Sequence, residues 1–247
     1  DEKTLDVFRS GKDIYKHTAC GIFNKDYSDI DGDMRFIGKV ATLALGFQGG
    51  VNAFTSMGKN YGVEIDETLA TETVRNYRRA NKQIVSLWHD VNQAVLNVVD
   101  RKEKVSKLGK LRINIENDWL TIRLPSGRKL TYYKPLTENS ENSGRFKTTF
   151  LGVGFTRKWQ RIDTYGGKIV ENVTQAVARD VLSANLHLIE SAGYSIVTTV
   201  HDEVVTLCPD EEQYNAPALS ALLSTQPSWA EGLPLDAKGF EGQRYSK

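Results

Sequence analysis

The spacing of apolar positions changes along this chain, and each change marks a different predicted element. Leu5, Val7 and Phe8, a break at Ser10-Gly11, then Ile14, Thr18 and Ile22 at intervals of four predict two short helices within residues 1–23. Residues 24–33 are polar and acidic, and an Asp just before a renewed helical period is a natural N-cap. From Met34 to Phe47 the interval of four returns, with Val40, Ala41, Ala44 and Leu45 as the buried flank. Gly46, Gly49 and Gly50 then end that helix. Residues 51–99 stay helical, with a turn at Tyr61-Gly62 and one long amphipathic segment from Thr71 to Val99.

Beyond Arg101 the period becomes two. Leu111, Ile113 and Ile115, then Trp119 to Leu124 and Leu130 to Tyr133 around Pro125-Ser126-Gly127, predict hairpin-forming strands. Thr137 to Gly144 reads as a polar, mobile loop. After the turn Tyr165-Gly166-Gly167 a helix is predicted from Lys168 to Ala192, with Gly193 as terminator. Ile196 to Val200 and Val204 to Leu207, rich in Val, Ile and Thr, predict two short strands joined at His201-Asp202. Ala216 to Leu223 predicts a last helix, and the fold class is α+β.

A length of 247 residues suits one large domain or two smaller ones. Lys plus Arg number 32 and Asp plus Glu 31, so bulk charge makes no case for a polyanionic partner. Only local clustering makes one. Cys20 and Cys208 lie far apart with no metal-ligand spacing, which fits free thiols in a reducing compartment. No apolar run is long enough to span a membrane, so neither a membrane span nor a signal peptide is expected. It starts at Asp1 without Met, as expected of a fragment or a processed product.

Three stretches carry candidate chemistry. At His201-Asp202-Glu203 a tight turn lifts two carboxylates to a hairpin tip, which reads either as a metal site or as a solvated turn. Arg35, Lys39, Leu43 and Phe47 form one stripe on a helix, and two cations at that spacing read either as a phosphate clamp or as a wet face. Residues 101–112 hold six cations against Glu103, either a nucleic-acid contact or a solvated basic loop. Asp29-Ile30-Asp31-Gly32-Asp33 imitates a calcium loop, but Met34 and Val40 stand where that loop needs Gly and Glu.

The Arg35, Lys39 and Phe47 stripe, followed by the His201-Asp202-Glu203 hairpin, resembles two signature motifs of the family A, DNA polymerase I-like, DNA polymerases. Gly11-Lys12-Asp13-Ile14, Gln175 and Leu233-Pro234-Leu235 match in the same order. Residues 38–50 and 165–180 look most like the bacteriophage-encoded branch, and the stretch from Arg112 to Leu124 matches least. The resemblance implies a right-hand polymerase: mostly helical fingers at 1–165 with a strand-rich insertion near 111–133, and at 166–247 a palm whose antiparallel hairpin carries the catalytic Asp-Glu. The N-terminal palm strand and the thumb would lie in a missing N-terminal polymerase portion.

It also implies roles. Arg35 and Lys39 would grip the triphosphate of a deoxynucleoside triphosphate, Leu43 would lie beside its sugar, and Phe47 would sit against the nascent base pair. Asp202 would ligate two Mg2+ ions, with Glu203 beside it; His201, Gln175 and Arg179 would meet primer-template DNA. Tyr15 stands where relatives commonly place a phosphate-contacting His, and Leu43 where many have Phe or Tyr. A phage-encoded enzyme would work in the host-cell cytoplasm.

The first carboxylate motif of such enzymes should precede Gly11-Lys12-Asp13-Ile14. Asp26-Tyr27-Ser28-Asp29-Ile30-Asp31 imitates it but follows instead, too near Arg35 to be a palm strand. Two alternatives to a DNA polymerase stand beside this reading: a single-subunit RNA polymerase, and a non-catalytic nucleic-acid-binding remnant that lacks the first metal-binding motif.

Overall fold

A computed structural model describes residues 1–139 and 146–245. The chain divides into two compact units, Asp1–Val173 and Thr174–Lys247. The division falls inside a helix that starts at Gly166.

The first unit opens with six helices: α1 (Glu2–Arg9), α2 (Ile14–Phe23), α3 (Gly32–Leu45), α4 (Val51–Asn60), α5 (Glu67–Ala80) and α6 (Lys82–Val99). Capping fixes their starts. The side chains of Asp13, Asp31 and Asp66 accept hydrogen bonds from amides in the first turns of α2, α3 and α5. The single helix expected from Thr71 to Val99 is two. Asn81 leaves helical geometry at φ −109 and ψ 50, and its backbone and side-chain amides both donate to the Tyr77 carbonyl at 2.9 Å, closing the last turn of α5. Hydrophobic spacing continues across such a break, which is why it was not visible.

A six-stranded antiparallel sheet in sequential order follows: β1 (Val105–Leu108), β2 (Leu111–Glu116), β3 (Trp119–Arg123), β4 (Lys129–Asn139), β5 (Phe146–Val153) and β6 (Trp159–Thr164). Alternation along each strand turns Ile113, Leu120, Ile122 and Tyr132 into one core with Val40, Phe54, Trp88, Val91 and Val95 of the helices. The strand-rich region is thus wider than 111–133. Its last two strands escaped the sequence because their inward positions include the cross-strand pair Thr148 and Thr164, polar residues that are buried. Part of the expected loop at Thr137 to Gly144 is also strand, since Thr137 to Asn139 close β4. Residues 140–144 of that loop lie outside the described residues.

The seventh helix, α7 (Gly166–Ser191), begins in the first unit. Its two opening glycines are required by space. A Cβ at Gly166 would run into the Trp88 carbonyl and one at Gly167 into the Phe47 carbonyl. The Gly167 amide donates to Gln48 Oε1 at 2.9 Å, and Trp88 Nε1 donates to the Gly46 carbonyl at 3.0 Å. These contacts hold the turn that follows α3.

In the second unit, α7 ends at Gly193, whose φ of +95 suits glycine. The hairpin β7 (Ser195–Val200) and β8 (Glu203–Leu207) follows, then α8 (Ala216–Leu223). Asn185 of α7 is buried and donates to the carbonyls of Leu223 and Thr225, both at 2.8 Å, which fixes α8 on α7. Among the described residues no helix is long and apolar enough to cross a membrane.

Candidate nucleotide and metal sites

The first unit contains the predicted phosphate-gripping stripe. Arg35, Lys39 and Leu43 share one side of α3, as their spacing requires. Phe47 does not belong to that helix, which ends at Leu45; it lies in the turn held by Trp88 and Gln48 and packs half-buried against the core. The glycines that stop the helix also cut its stripe short.

Arg35 is not free. Its Nε donates to Asp13 Oδ2 at 2.6 Å, and its guanidinium lies 5.4 Å over the Tyr15 ring. Asp13 is at the same time the N-cap of α2, accepting from the amides of Tyr15 and Lys16 at 2.8 and 3.1 Å. Burial alone would raise the Asp13 carboxyl, but the Arg35 guanidinium and those two amides hold it below the usual carboxylate range. The anion that relieves the cation stripe is therefore an internal carboxylate. Among the described residues Lys39 has no such partner: its ammonium stands 4.8 Å over the Tyr61 ring, and that ring meets Phe36 edge-on at 6.1 Å.

Close packing sets the direction of the stripe. A Cβ at Gly38 would run into the Tyr15 carbonyl, so glycine lets α3 lie against α2, and Thr42 Oγ1 bonds Thr18 Oγ1 at 3.0 Å across the contact. Leu43 is exposed at the end of the stripe. Asp26, the start of the imitated carboxylate motif, precedes a one-turn 3-10 helix at Tyr27–Asp29 rather than opening a strand. Tyr27 has a structural task there: its hydroxyl accepts from the Asp13 amide at 3.0 Å, and Lys16 lies 5.4 Å over its ring.

The second unit contains the acidic turn. Val200 and Glu203 are the closing pair of the hairpin, and His201 takes φ +55 between them. His201 and Asp202 are exposed at the tip and Glu203 is half-buried. Glu203 Oε2 accepts from the Tyr245 hydroxyl at 2.9 Å, a bond that raises the Tyr245 pKa. Arg179 Nη1 reaches Thr199 Oγ1 at 3.4 Å, joining α7 to β7 just before the turn. Gln175 is exposed one turn earlier on α7.

Two carboxylates on a rigid turn supply hard oxygen donors of the type that Mg2+ takes. Among the described residues no third His, Cys, Asp or Glu joins them. Asp13, Tyr61 and Tyr245 were not legible as partners of Arg35, Lys39 and Glu203. The only signal was Asp13 in the Gly11-Lys12-Asp13-Ile14 motif, to which no task attached.

No family model matches the chain. The fold is similar to part of a DNA polymerase domain: the polymerase domain of Pol1 from M. smegmatis, solved with a DNA primer-template and dNTP, superposes with a TM-score of 0.55 at 15% identity. That superposition covers 96% of this chain and 34% of the Pol1 chain. By sequence, the chain is a homologue of the DNA polymerase of Bacillus phage SP02, 40% identical over 250 residues and matched along 100% of its length. It spans 38% of the length of that relative.

Proposed function

We propose that these residues form the nucleotide-gripping fingers and the Asp-Glu part of the palm of a phage-type family A DNA polymerase. The observation that carries this reading is the match to the SP02 polymerase across the whole chain. The local geometry agrees with it, since the cation stripe and the acidic turn each stand on rigid, capped elements.

The reaction is attack of a primer 3′-hydroxyl on the α-phosphorus of a deoxynucleoside triphosphate. An O–P bond forms there, the bond to the bridging oxygen breaks, and pyrophosphate leaves. Phosphoryl transfer of this type needs positioning and charge neutralisation more than covalent chemistry. Lys39 and Arg35 bind the triphosphate, Leu43 lies beside the sugar, and Phe47 supports the new base pair from the turn after α3. His201 supports the primer terminus, and Gln175 and Arg179 hold primer-template DNA. Asp202 and Glu203 would hold Mg2+, which when bound neutralises phosphate charge and activates the attacking oxygen. A pair of ions about 4 Å apart needs more carboxylate oxygens than two adjacent residues offer. The remaining ligands then come from another part of the whole polymerase, and the 247 residues alone should extend primers barely or not at all.

Primer extension by the whole polymerase tests the reading. Deoxynucleotides should be incorporated in strong preference to ribonucleotides, and equal or greater use of ribonucleotides would identify an RNA polymerase instead.

The Arg35–Asp13 pair makes a second test. If a triphosphate takes Arg35 in competition with Asp13, then Asp13→Asn removes the competing charge while keeping the cap, because Asn caps as well as Asp. A partly exposed ion pair is worth at most about 1 kcal/mol, so the KM for nucleotide should fall by up to about fivefold. A raised KM in steady-state kinetics, with the melting temperature unchanged, would show that Asp13 aids binding rather than competing with it.

A further inference from the structure

The sheet of the first unit packs one face on the helical core and exposes large aromatic and cationic side chains on the other. Trp119, Tyr133 and Trp159 lie on that outer face, from β3, β4 and β6. Trp119 and Tyr133 are cross-strand partners with ring centroids 4.7 Å apart, and Tyr133 and Trp159 follow at 6.3 Å. The rings form a strip that runs across the strands. Both tryptophans are exposed, by 41% and 60%, and Phe155 at the β5–β6 tip is wholly exposed beside Arg157 and Lys158.

A second row runs parallel to the first. Lys107 pairs across strands with Arg112, Arg112 with Arg123, and Arg123 with Lys129. Four cations thus stand on adjacent strands over about 14 Å, at about 4.8 Å per strand. Like charges directly opposite one another oppose sheet formation. Lys129 is neutralised by Glu116 at 2.7 Å, but Lys107, Arg112 and Arg123 are exposed and make no ion pair among the described residues. On the same face Asp163 is already held by Lys147 at 2.7 Å. An uncovered row of cations beside a strip of aromatic rings calls for a partner with both negative charge and flat apolar faces.

We propose that the outer face of this sheet is a stacking platform for single-stranded nucleic acid, with bases on Trp119, Tyr133 and Trp159 and backbone phosphates along Lys107, Arg112 and Arg123. Sequence-tolerant single-strand binders combine these two features, a cationic track and successive stacking rings. A duplex keeps its base faces covered, so the aromatic strip serves unpaired bases. A protein partner of the same apolar character would meet the cation row without a matching charge. The inference is independent of the polymerase chemistry and needs neither metal nor nucleotide.

The test is a fluorescence-anisotropy titration of labelled oligo(dT) with the 247-residue chain at several salt concentrations, without divalent ions. Trp159→Ala and Trp119→Ala should each weaken binding about tenfold, the scale of one lost stacking contact, with the salt dependence unchanged. Arg112→Gln should weaken binding and reduce the slope of log K against log salt by about 0.7. Blunt duplex binding should change little in the tryptophan variants. In the unaltered chain, saturating oligo(dT) should quench tryptophan emission, which keeps the test decisive should a variant fail to fold. Absence of quenching overturns the proposal. So does oligo(dT) binding within twofold of normal by folded tryptophan variants, which would leave the face to a protein.

Discussion

Asp202→Ala should lower nucleotide incorporation by the whole polymerase by at least about 10³-fold, the scale on which loss of a reaction-centre group registers. The fold should hardly notice. Asp202 is exposed at the hairpin tip and makes no hydrogen bond or ion pair among the described residues, and substitutions at such places shift stability by no more than about 0.5 kcal/mol. The left-handed residue of the turn is His201, so alanine at 202 does not inherit its backbone demand. Single-turnover incorporation with primer-template binding measured alongside separates the two effects. Binding should persist while chemistry stops. A variant that incorporates nucleotide within threefold of normal would remove Asp202 from the metal site.

Lys39→Ala should raise the KM for nucleotide by about 10- to 100-fold, because a hydrogen bond from an ammonium to phosphate is worth about 1.5 to 3 kcal/mol. Lys39 is the better probe of the stripe, since Arg35 already serves Asp13 while Lys39 stands over the Tyr61 ring with no carboxylate partner among the described residues. Loss of that ring contact costs about 0.5 to 1 kcal/mol and shows separately as a lower melting temperature. Affinity for primer-template should stay unchanged. An unchanged KM in steady-state kinetics would return the stripe to its alternative reading, a wet helix face.

Local order was legible in the sequence where a single segment decides it. Gly193 as a terminator, the hairpin at His201-Asp202 and the helix at Ala216–Leu223 stand as expected, and the Asp cap expected just before Met34 falls two residues earlier than Asp33, at Asp31. What failed was whatever depends on distant residues. The break at Asn81 interrupts no hydrophobic period, and β5 and β6 bury threonines where an apolar pattern was sought. Phe47 joins the stripe only by its interval of four, and Gly46, legible as a terminator, ends the helix before it.

The candidate sites divide in the same way. The residue types that hold phosphate or metal stand out in the sequence, but their supports do not. Asp13 lies 22 residues from Arg35 and Tyr245 lies 42 from Glu203, and no spacing rule connects either pair. The platform on the sheet is an extreme case. Its cations and rings come from β1 to β6, so only strand pairing brings them onto one face.

The central claim is that Asp202 and the Arg35–Lys39 stripe serve one templated reaction on a deoxynucleoside triphosphate. Magnesium-dependent addition of a single complementary deoxynucleotide to a primed template by the whole polymerase measures it most directly. The account predicts addition that releases pyrophosphate, that Asp202→Ala abolishes, and that Lys39→Ala slows except at much higher nucleotide concentration. Failure of the unaltered polymerase to add a nucleotide, or addition that neither substitution changes, would contradict it.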